Sequence, residues 1–444
     1  MTVTFSRDRL KQTIEQRLLF GNRLTPELVA ILLVYLVQGI LGLARLGVSF
    51  FLKDDLGLTP AEVAALTGIT MAPWTIKPLF GFISDSFPIA GYRRRPYLIL
   101  AGALGSLAWI ALATVVHTAW AATAAILVTS LAVAVSDVVV DSIVVERARV
   151  ESQSQLGAIQ SLCWGTMALG SLVTAYFSGF LLEHIAVTTV FGIVATFPLL
   201  IAIAAMLIDE APRDAETNWR SLWGQVKQLQ QAVGQKSVWL PTGFIFLWMA
   251  TPSAESAMFF FTTNELGFQP EFLGRVRLVA SVAAIIGIWI FQRFLKAVPF
   301  RVIFAWGAVL STGLGLTTLL LVTHANRAIG IDDYWFSLGD TLVLTVVGEI
   351  AFMPVLVLAA RVCPPGVEAT LFALLMSVLN LGGVLSYETG ALIMQGLGIT
   401  ATQFDQMWIL VLITNLSTLL PLPLLRWLPD TTASDGGGSL SLIH

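Results

Sequence analysis

KDDLGLTP at residues 53–60 returns as TNELGFQP at 263–270, 210 residues later. A second echo has almost the same spacing: RARV at 147–150 reappears as AARV at 359–362, after 212 residues. At these offsets Arg45 falls opposite Glu255 and Asp137 falls opposite Glu349, and all four lie inside long apolar stretches. Two similar halves carrying charges at matching depths are the pattern expected of a membrane carrier whose site is built from both halves.

Composition agrees with a membrane setting. Hydrophobic residues make up 56% of the 444 and charged residues 12%, whereas a soluble chain averages about 25% charged. So apolar a chain needs the lipid bilayer as its solvent. A net charge of −3 gives no reason to expect a nucleic-acid partner. Cys163 and Cys363 lie in or beside apolar segments and read as small apolar fillers, so neither a disulfide nor a metal site is expected. The first 27 residues are polar and of mixed charge, without the apolar core of a cleavable signal peptide.

A spanning helix needs roughly 20 apolar residues. Twelve such spans are predicted, near 28–52, 60–84, 96–116, 120–145, 156–181, 186–208, 239–263, 270–295, 299–323, 338–361, 368–395 and 404–428. The expected organisation follows. A cytoplasmic N-terminal segment covers 1–27, a six-helix bundle 28–208, a cytoplasmic linker 209–238, a second six-helix bundle 239–428 and a flexible tail 429–444. Within the linker, Trp219, Trp223, Val226 and Leu229 share one helical face, as in a helix lying on the membrane surface. Nineteen of the 25 Lys and Arg fall in the segments that are cytoplasmic if the N-terminus is inside, and two, Lys53 and Arg327, in outer loops. This asymmetry places both termini on the cytoplasmic side. The result is an all-α membrane protein of two pseudo-symmetric six-helix bundles, an architecture that resembles the major facilitator superfamily.

Three groups of charges carry the candidate chemistry. The first is GFISDSFPIAGYRRRPY at 81–97, between the second and third spans. It resembles the superfamily's loop motif through Gly81, Asp85, Gly91, Arg93 and Arg94, with longer spacing. One reading is a cytoplasmic gate, with Asp85 paired to a basic residue across the loop or on the fourth span. The plainer one is that three arginines anchor the loop inside. The second group is SDVVVDSIVVERARVE at 136–151. Asp137 and Asp141 share a helical face. Asp141, Glu146, Arg147 and Arg149 can form a solvated network at the helix end, but Asp137 lies deep in the span. A carboxylate there costs about 2.5 kcal/mol or more unless it faces a partner or a cavity, and Glu349 meets the same cost in the other half.

The third group is Arg45, Glu255, Arg275 and Arg277. Glu255 follows Pro252 and Ser253, which can interrupt the seventh span, and broken helices at mid-membrane are common binding elements. Arg45 and Glu255 can also simply neutralise each other, and Arg275 and Arg277 can snorkel outward. Lys77 can serve as a cavity cation, reach Asp85, or reach the interface. Asn380 is a candidate polar contact, and Gly382 and Gly383 permit close helix packing. Trp74, Trp164 and Trp248 lie deep enough to stack on a ring, although lipid or core packing explains any single one. All four histidines fall in loops or tails, so a carboxylate would have to carry any coupling proton. There is no phosphate-binding loop after a strand and no nucleophile–base constellation. The chain is therefore not expected to be an enzyme or to need a cofactor.

The stretch APWTIKPLFGFISDSFPIAGYRRRPY, followed some sixty residues later by SDVVVDSIVVERAR, resembles the folate–biopterin transporter family of cyanobacteria, plant plastids and trypanosomatid parasites. The short N-terminus and compact loops are similar to the cyanobacterial or plastidial type. The resemblance implies a secondary transporter of folates and related pterins, with a proton as candidate coupling ion, a monomer, and a place in a cyanobacterial inner (plasma) membrane or plastid envelope. It also gives weight to Lys77, Asp85, Arg94, Arg95, Asp137, Asp141, Glu146 and Arg147. Such a cargo fits the charges. A pterin offers an exocyclic amine beside a ring N–H, a donor pair for a carboxylate such as Asp137, Glu255 or Glu349. The glutamate tail of folate suits an arginine fork, for which Arg45, Arg275 and Arg277 are the candidates. Two other readings are a facilitator-type carrier of another small solute and a non-transporting assembly factor of photosynthetic complexes. Charges inside the spans disfavour the second, because a scaffold has no use for them.

Overall fold

The computed structural model describes residues 23–148, 153–212, 234–295, 297–361 and 368–428. The expected interfacial helix of the linker and the C-terminal tail fall largely outside this range. The described chain is helical, with an isolated bridge between Ile89 and Tyr92. Ten of its helices are long and apolar enough to cross a membrane. The protein is an integral membrane protein.

The two expected spans missing from these ten are present as broken helices. The stretch 60–84 divides into Pro60–Thr70, Ala72–Thr75 and Lys77–Ser86. Pro73 and Pro78 lie in the first turns of the later two pieces, where a residue without an N–H begins a helix but cannot continue one. The stretch 239–263 stops at Met249 and restarts at Glu255, with Pro252 in the gap. The sequence-based expectation of an interruption there is met.

The repeat is visible in the backbone. The first span ends in a π-helical turn at Phe51–Asp55 and the seventh in one at Phe261–Glu265, 210 residues apart. In both, the N–H of the next leucine bonds back to the first phenylalanine carbonyl, Leu56 to Phe51 at 3.0 Å and Leu266 to Phe261 at 3.1 Å. Gly57 and Gly267 then turn left-handed, at φ 64° and 69°, a conformation that costs any residue with a β-carbon. Pro60 and Pro270 open the helices that follow. The offset extends inward. The first span breaks between Ile40 and Leu43, and the same offset leads to the gap around Pro252.

By packing, the chain forms two units, Met1–Val48 with Ile76–Thr217 and Ser49–Thr75 with Asn218–His444. The first has a core of Ile31, Val34, Leu98, Val139, Val140, Ile143, Ile159, Cys163 and Ile201. In it the helices Pro26–Ile40 and Gln153–His184 touch backbone to backbone: a β-carbon at Gly39 would lie 2.2 Å from the Met167 carbonyl oxygen. The second unit is built around Phe244, Phe304, Val355, Leu358 and Leu371 at one place and Ala64, Ala257, Phe261, Met394 and Leu410 at another. Leu107, Ile110, Trp306 and Trp335 remain exposed, forming the apolar exterior that lipid covers.

Candidate functional site

The first unit brings together four polar side chains from three helices. Lys77 is the first residue of Lys77–Ser86, where the positive end of the helix dipole disfavours a cation. Its ammonium forms an ion pair with Asp137 on Ala119–Ala148. The two side chains are only 17% and 12% exposed, so each charge depends on the other for compensation. One turn along, Asp141 accepts a hydrogen bond from the hydroxyl of Tyr35, a buried residue of Pro26–Ile40. Asp141 is exposed, whereas Val139, Val140 and Ile143 around it are buried. It therefore presents an exposed carboxylate on an otherwise packed helix. The group amounts to one cation, two carboxylates and one phenol, a formal net charge of one negative when both carboxylates are ionised. Gln38, three residues from Tyr35 on the same helical face, has a buried amide nitrogen without a hydrogen-bond partner.

Several sequence expectations are resolved here. The partner found for Lys77 is Asp137, while Asp85 pairs with Arg94. Asp141 accepts from Tyr35; the side chains of Glu146, Arg147 and Arg149, its expected partners in a network at the helix end, lie outside the described residues. Tyr35 and Gln38 escaped notice because a phenol and an amide are common in apolar spans. Only their contacts set them apart.

The 81–97 loop folds on itself. The Arg94 guanidinium contacts Asp85 at 2.8 Å and donates to the hydroxyl of the fully buried Ser84 at 3.3 Å. Ala90 and Gly91, at φ 54° and 83°, form the tight turn between the bridged Ile89 and Tyr92. The Glu210 carboxylate accepts from the backbone N–H of Arg93 at 2.6 Å and from those of Arg94 and Arg95 at 3.1 Å. It thereby caps the helix Arg95–Thr114 with a negative charge at its positive end. The Arg95 guanidinium lies over the Tyr92 ring. Among the described residues, Asp85 forms the expected pairing across the loop. Glu210, more than a hundred residues away in the chain, carried no signal of its own in the sequence.

In the second unit, one helix braces both broken spans. Glu368–Gly396 supplies Asn380, whose amide donates to the Trp74 carbonyl at 3.0 Å, and Ser386, whose carbonyl accepts from the Ser253 N–H at 3.0 Å and whose hydroxyl donates to the Thr251 carbonyl. These bonds satisfy backbone groups that the breaks release, as a low-dielectric setting requires. Gly390 permits the approach, since a β-carbon there would sit 2.2 Å from the Ser253 carbonyl oxygen. Gly382 is similarly placed against Met249. Glu255, the first residue after the gap, accepts from the Tyr387 hydroxyl at 2.5 Å.

The remaining candidates are dispersed. Trp248 packs against Phe244 and Phe304 in the core, and Trp164 is exposed. Arg45 is exposed and Arg277 half-buried. Arg275 pairs with Glu271 one turn away, at 2.7 Å. Glu349 packs its β-carbon against Gly287.

A family model, the BT1 family, matches residues 38–439. The chain belongs to the BT1 family. It is 60% identical over 420 residues to the folate-biopterin transporter of Synechocystis sp., covering 95% of this chain and 85% of that protein. A probable folate-biopterin transporter 2 of Arabidopsis thaliana is 33% identical, with 88% and 80% covered. Folate transporter 2 of Plasmodium falciparum is 32% identical, with 90% and 88% covered. Among solved structures, a D-xylose-proton symporter matches this BT1-family chain with a TM-score of 0.67 at 14% identity, covering 92% of this chain and 99% of the other. The nucleoside transporter NupG matches with a TM-score of 0.68 at 14% identity, covering 90% and 98%. The fold is that of the major facilitator superfamily.

Proposed function

We propose that this BT1-family chain is a secondary transporter that moves folates and related pterins across a membrane by alternating access, coupled to protons, without covalent chemistry on the cargo. The observation that carries the reading is 60% identity over 95% of the chain to a protein named as a folate-biopterin transporter. The polar group of the first unit supports it. Asp141 offers an exposed carboxylate, oriented by Tyr35, to the amine and ring N–H of a pterin, while Lys77 neutralises Asp137 beside it. Gln38 adds an amide with an unused donor. Arg45, ten residues beyond Tyr35 and thus roughly 15 Å along the span, suits the anionic tail of a folate laid along the helix. The chain works as a monomer, in a cyanobacterial inner membrane or a plastid envelope, with both termini on the cytoplasmic or stromal side, as the Lys and Arg distribution favours.

The test is uptake of labelled folate by a folate-auxotrophic cell expressing the chain. Accumulation above that of cells with an empty vector, together with growth on low external folate, is expected. A chain that reaches the membrane in quantity and yet accumulates no folate or biopterin overturns the proposal.

A further inference from the structure

The two offsets that align the halves also carry Lys77 onto position 287 and Asp137 onto position 349. In the first unit this pair of positions holds a buried cation and its carboxylate. In the second, the position of the cation is Gly287. A β-carbon there would lie 2.8 Å from both the β-carbon of Glu349 and the carbonyl oxygen of Val346. The helices Pro270–Ile290 and Asp333–Arg361 are thus too close for any side chain, let alone a lysine. Among the described residues, no hydrogen bond or ion pair reaches Glu349, which is half-buried in its span.

Charges on the surrounding elements do not replace the missing lysine. On Pro270–Ile290, Arg277 is ten residues from Gly287, about 15 Å by helical rise, and Arg275 is further still and pairs with Glu271; Arg293, in the turn Phe291–Leu295 that follows, is exposed and lies over the Phe294 ring. Arg301, on Phe300–Gly315, donates to the Leu428 carbonyl. Arg327 of Ala325–Ala328 pairs with Asp333. Lys236 opens the helix Lys236–Met249, and Glu388 on Glu368–Gly396 lies beside Gly68. On its own helix, Asp340 accepts from Thr317 and Thr318. Arg361 and Glu368 stand at helix ends.

We propose that Glu349 is the group that binds and releases the coupling proton, while Asp137, held by Lys77, stays ionised through the cycle. The inference rests on the transport reading above. An ionised carboxylate inside a span is costly without a counter-charge, whereas the neutral acid is not. Loss of the lysine therefore converts a permanently charged position into one that is stable only when protonated or solvated. Each cycle would place one proton from water on a Glu349 carboxylate oxygen and return it to water on the other side, with no other bond made or broken.

The experiment uses the purified full chain in proteoliposomes, with labelled folate and a pH-sensitive dye inside. Three quantities are read: folate accumulation driven by a pH gradient, proton movement driven by folate, and exchange of labelled for unlabelled folate without any gradient. Glu349→Gln is expected to lower gradient-driven accumulation at least tenfold and abolish proton movement, while exchange persists. Asp137→Asn serves as the comparison and is expected to lose exchange as well, because it removes the carboxylate paired with Lys77. Gradient-driven accumulation and proton movement by Glu349→Gln equal to wild type would overturn the proposal. So would loss of exchange together with folate binding in a Glu349→Gln protein that still elutes as a single folded species, since Glu349 would then serve the cargo. Wild-type protein that exchanges folate but neither responds to pH nor moves protons overturns the proton assignment and leaves the transport reading standing. Absence of all three activities in wild type overturns both.

Discussion

Lys77 and Asp137, sixty residues apart in the chain, close a largely buried ion pair between the start of one broken helix and the middle of an unbroken one. Removing one partner strands the other, which costs about 3–5 kcal/mol in a buried setting. Lys77→Met and Asp137→Asn should therefore each lower the melting temperature of the purified protein. The double variant should lose less than the sum of the two, with a coupling of about 0.5–3 kcal/mol. Additive losses in that cycle would show that the pair contributes no mutual stabilisation.

Charge, spacing and repeat made the architecture legible before any coordinates. The octapeptide repeated at 53–60 and 263–270 marked the duplication, and the backbone reproduces it as a turn with matching φ and hydrogen-bond register. Pro252 announced the gap in the seventh span. Partnerships were harder to see. Lys77 with Asp137, Tyr35 with Asp141 and Glu210 with the 93–95 backbone are each set by helix packing over 60 to 117 residues of chain. A single sequence holds the donors and acceptors but not the distances between them. Trp248 shows the converse. Its depth in a span suited a stacking platform, and only its neighbours Phe244 and Phe304 reveal a core residue.

The brace between the two broken spans should be intolerant of bulk. Gly390→Val places atoms where the Ser253 carbonyl oxygen already sits. Overpacking of this kind costs about 1–3 kcal/mol. The expected outcome is a lower melting temperature and weaker uptake per molecule in the membrane. Wild-type values for both would mean that the gap is free to move away from its brace.

The loop at 81–97 offers a different test. Asp85 and Arg94 hold it together, and Glu210 caps the helix that leaves it. If the loop gates turnover, Asp85→Asn should reduce the maximal rate of uptake more than the apparent affinity for folate. Glu210→Ala, which leaves three backbone N–H groups without their carboxylate, should destabilise the protein as well, by about 1–3 kcal/mol. Unchanged maximal rate in a well-expressed Asp85→Asn protein would remove the gate from the mechanism and leave the loop as an anchor.

The assignment of the cargo's two ends yields the sharpest contrast. A pterin head needs an acceptor for two neighbouring donors, and Asp141 is an exposed carboxylate beside the Lys77–Asp137 pair. Asp141→Asn keeps the shape but replaces one acceptor oxygen with a donor that opposes the pterin's own. Loss of a charge-assisted pair of this kind costs about 1.5–3 kcal/mol, or roughly ten- to a hundredfold in affinity. Folate and biopterin should suffer alike, because both carry the pterin head. Tyr35→Phe removes only the hydroxyl that orients the carboxylate, so its effect should be smaller and again shared. Arg45→Ala acts at the other end. Biopterin has no glutamate tail, so this change should weaken folate at least several-fold more than biopterin. The measurement is direct binding of both ligands to purified variants, which separates affinity from transport. Equal losses of folate and biopterin in Arg45→Ala would sink the tail assignment, and full binding of both by Asp141→Asn would sink the head assignment.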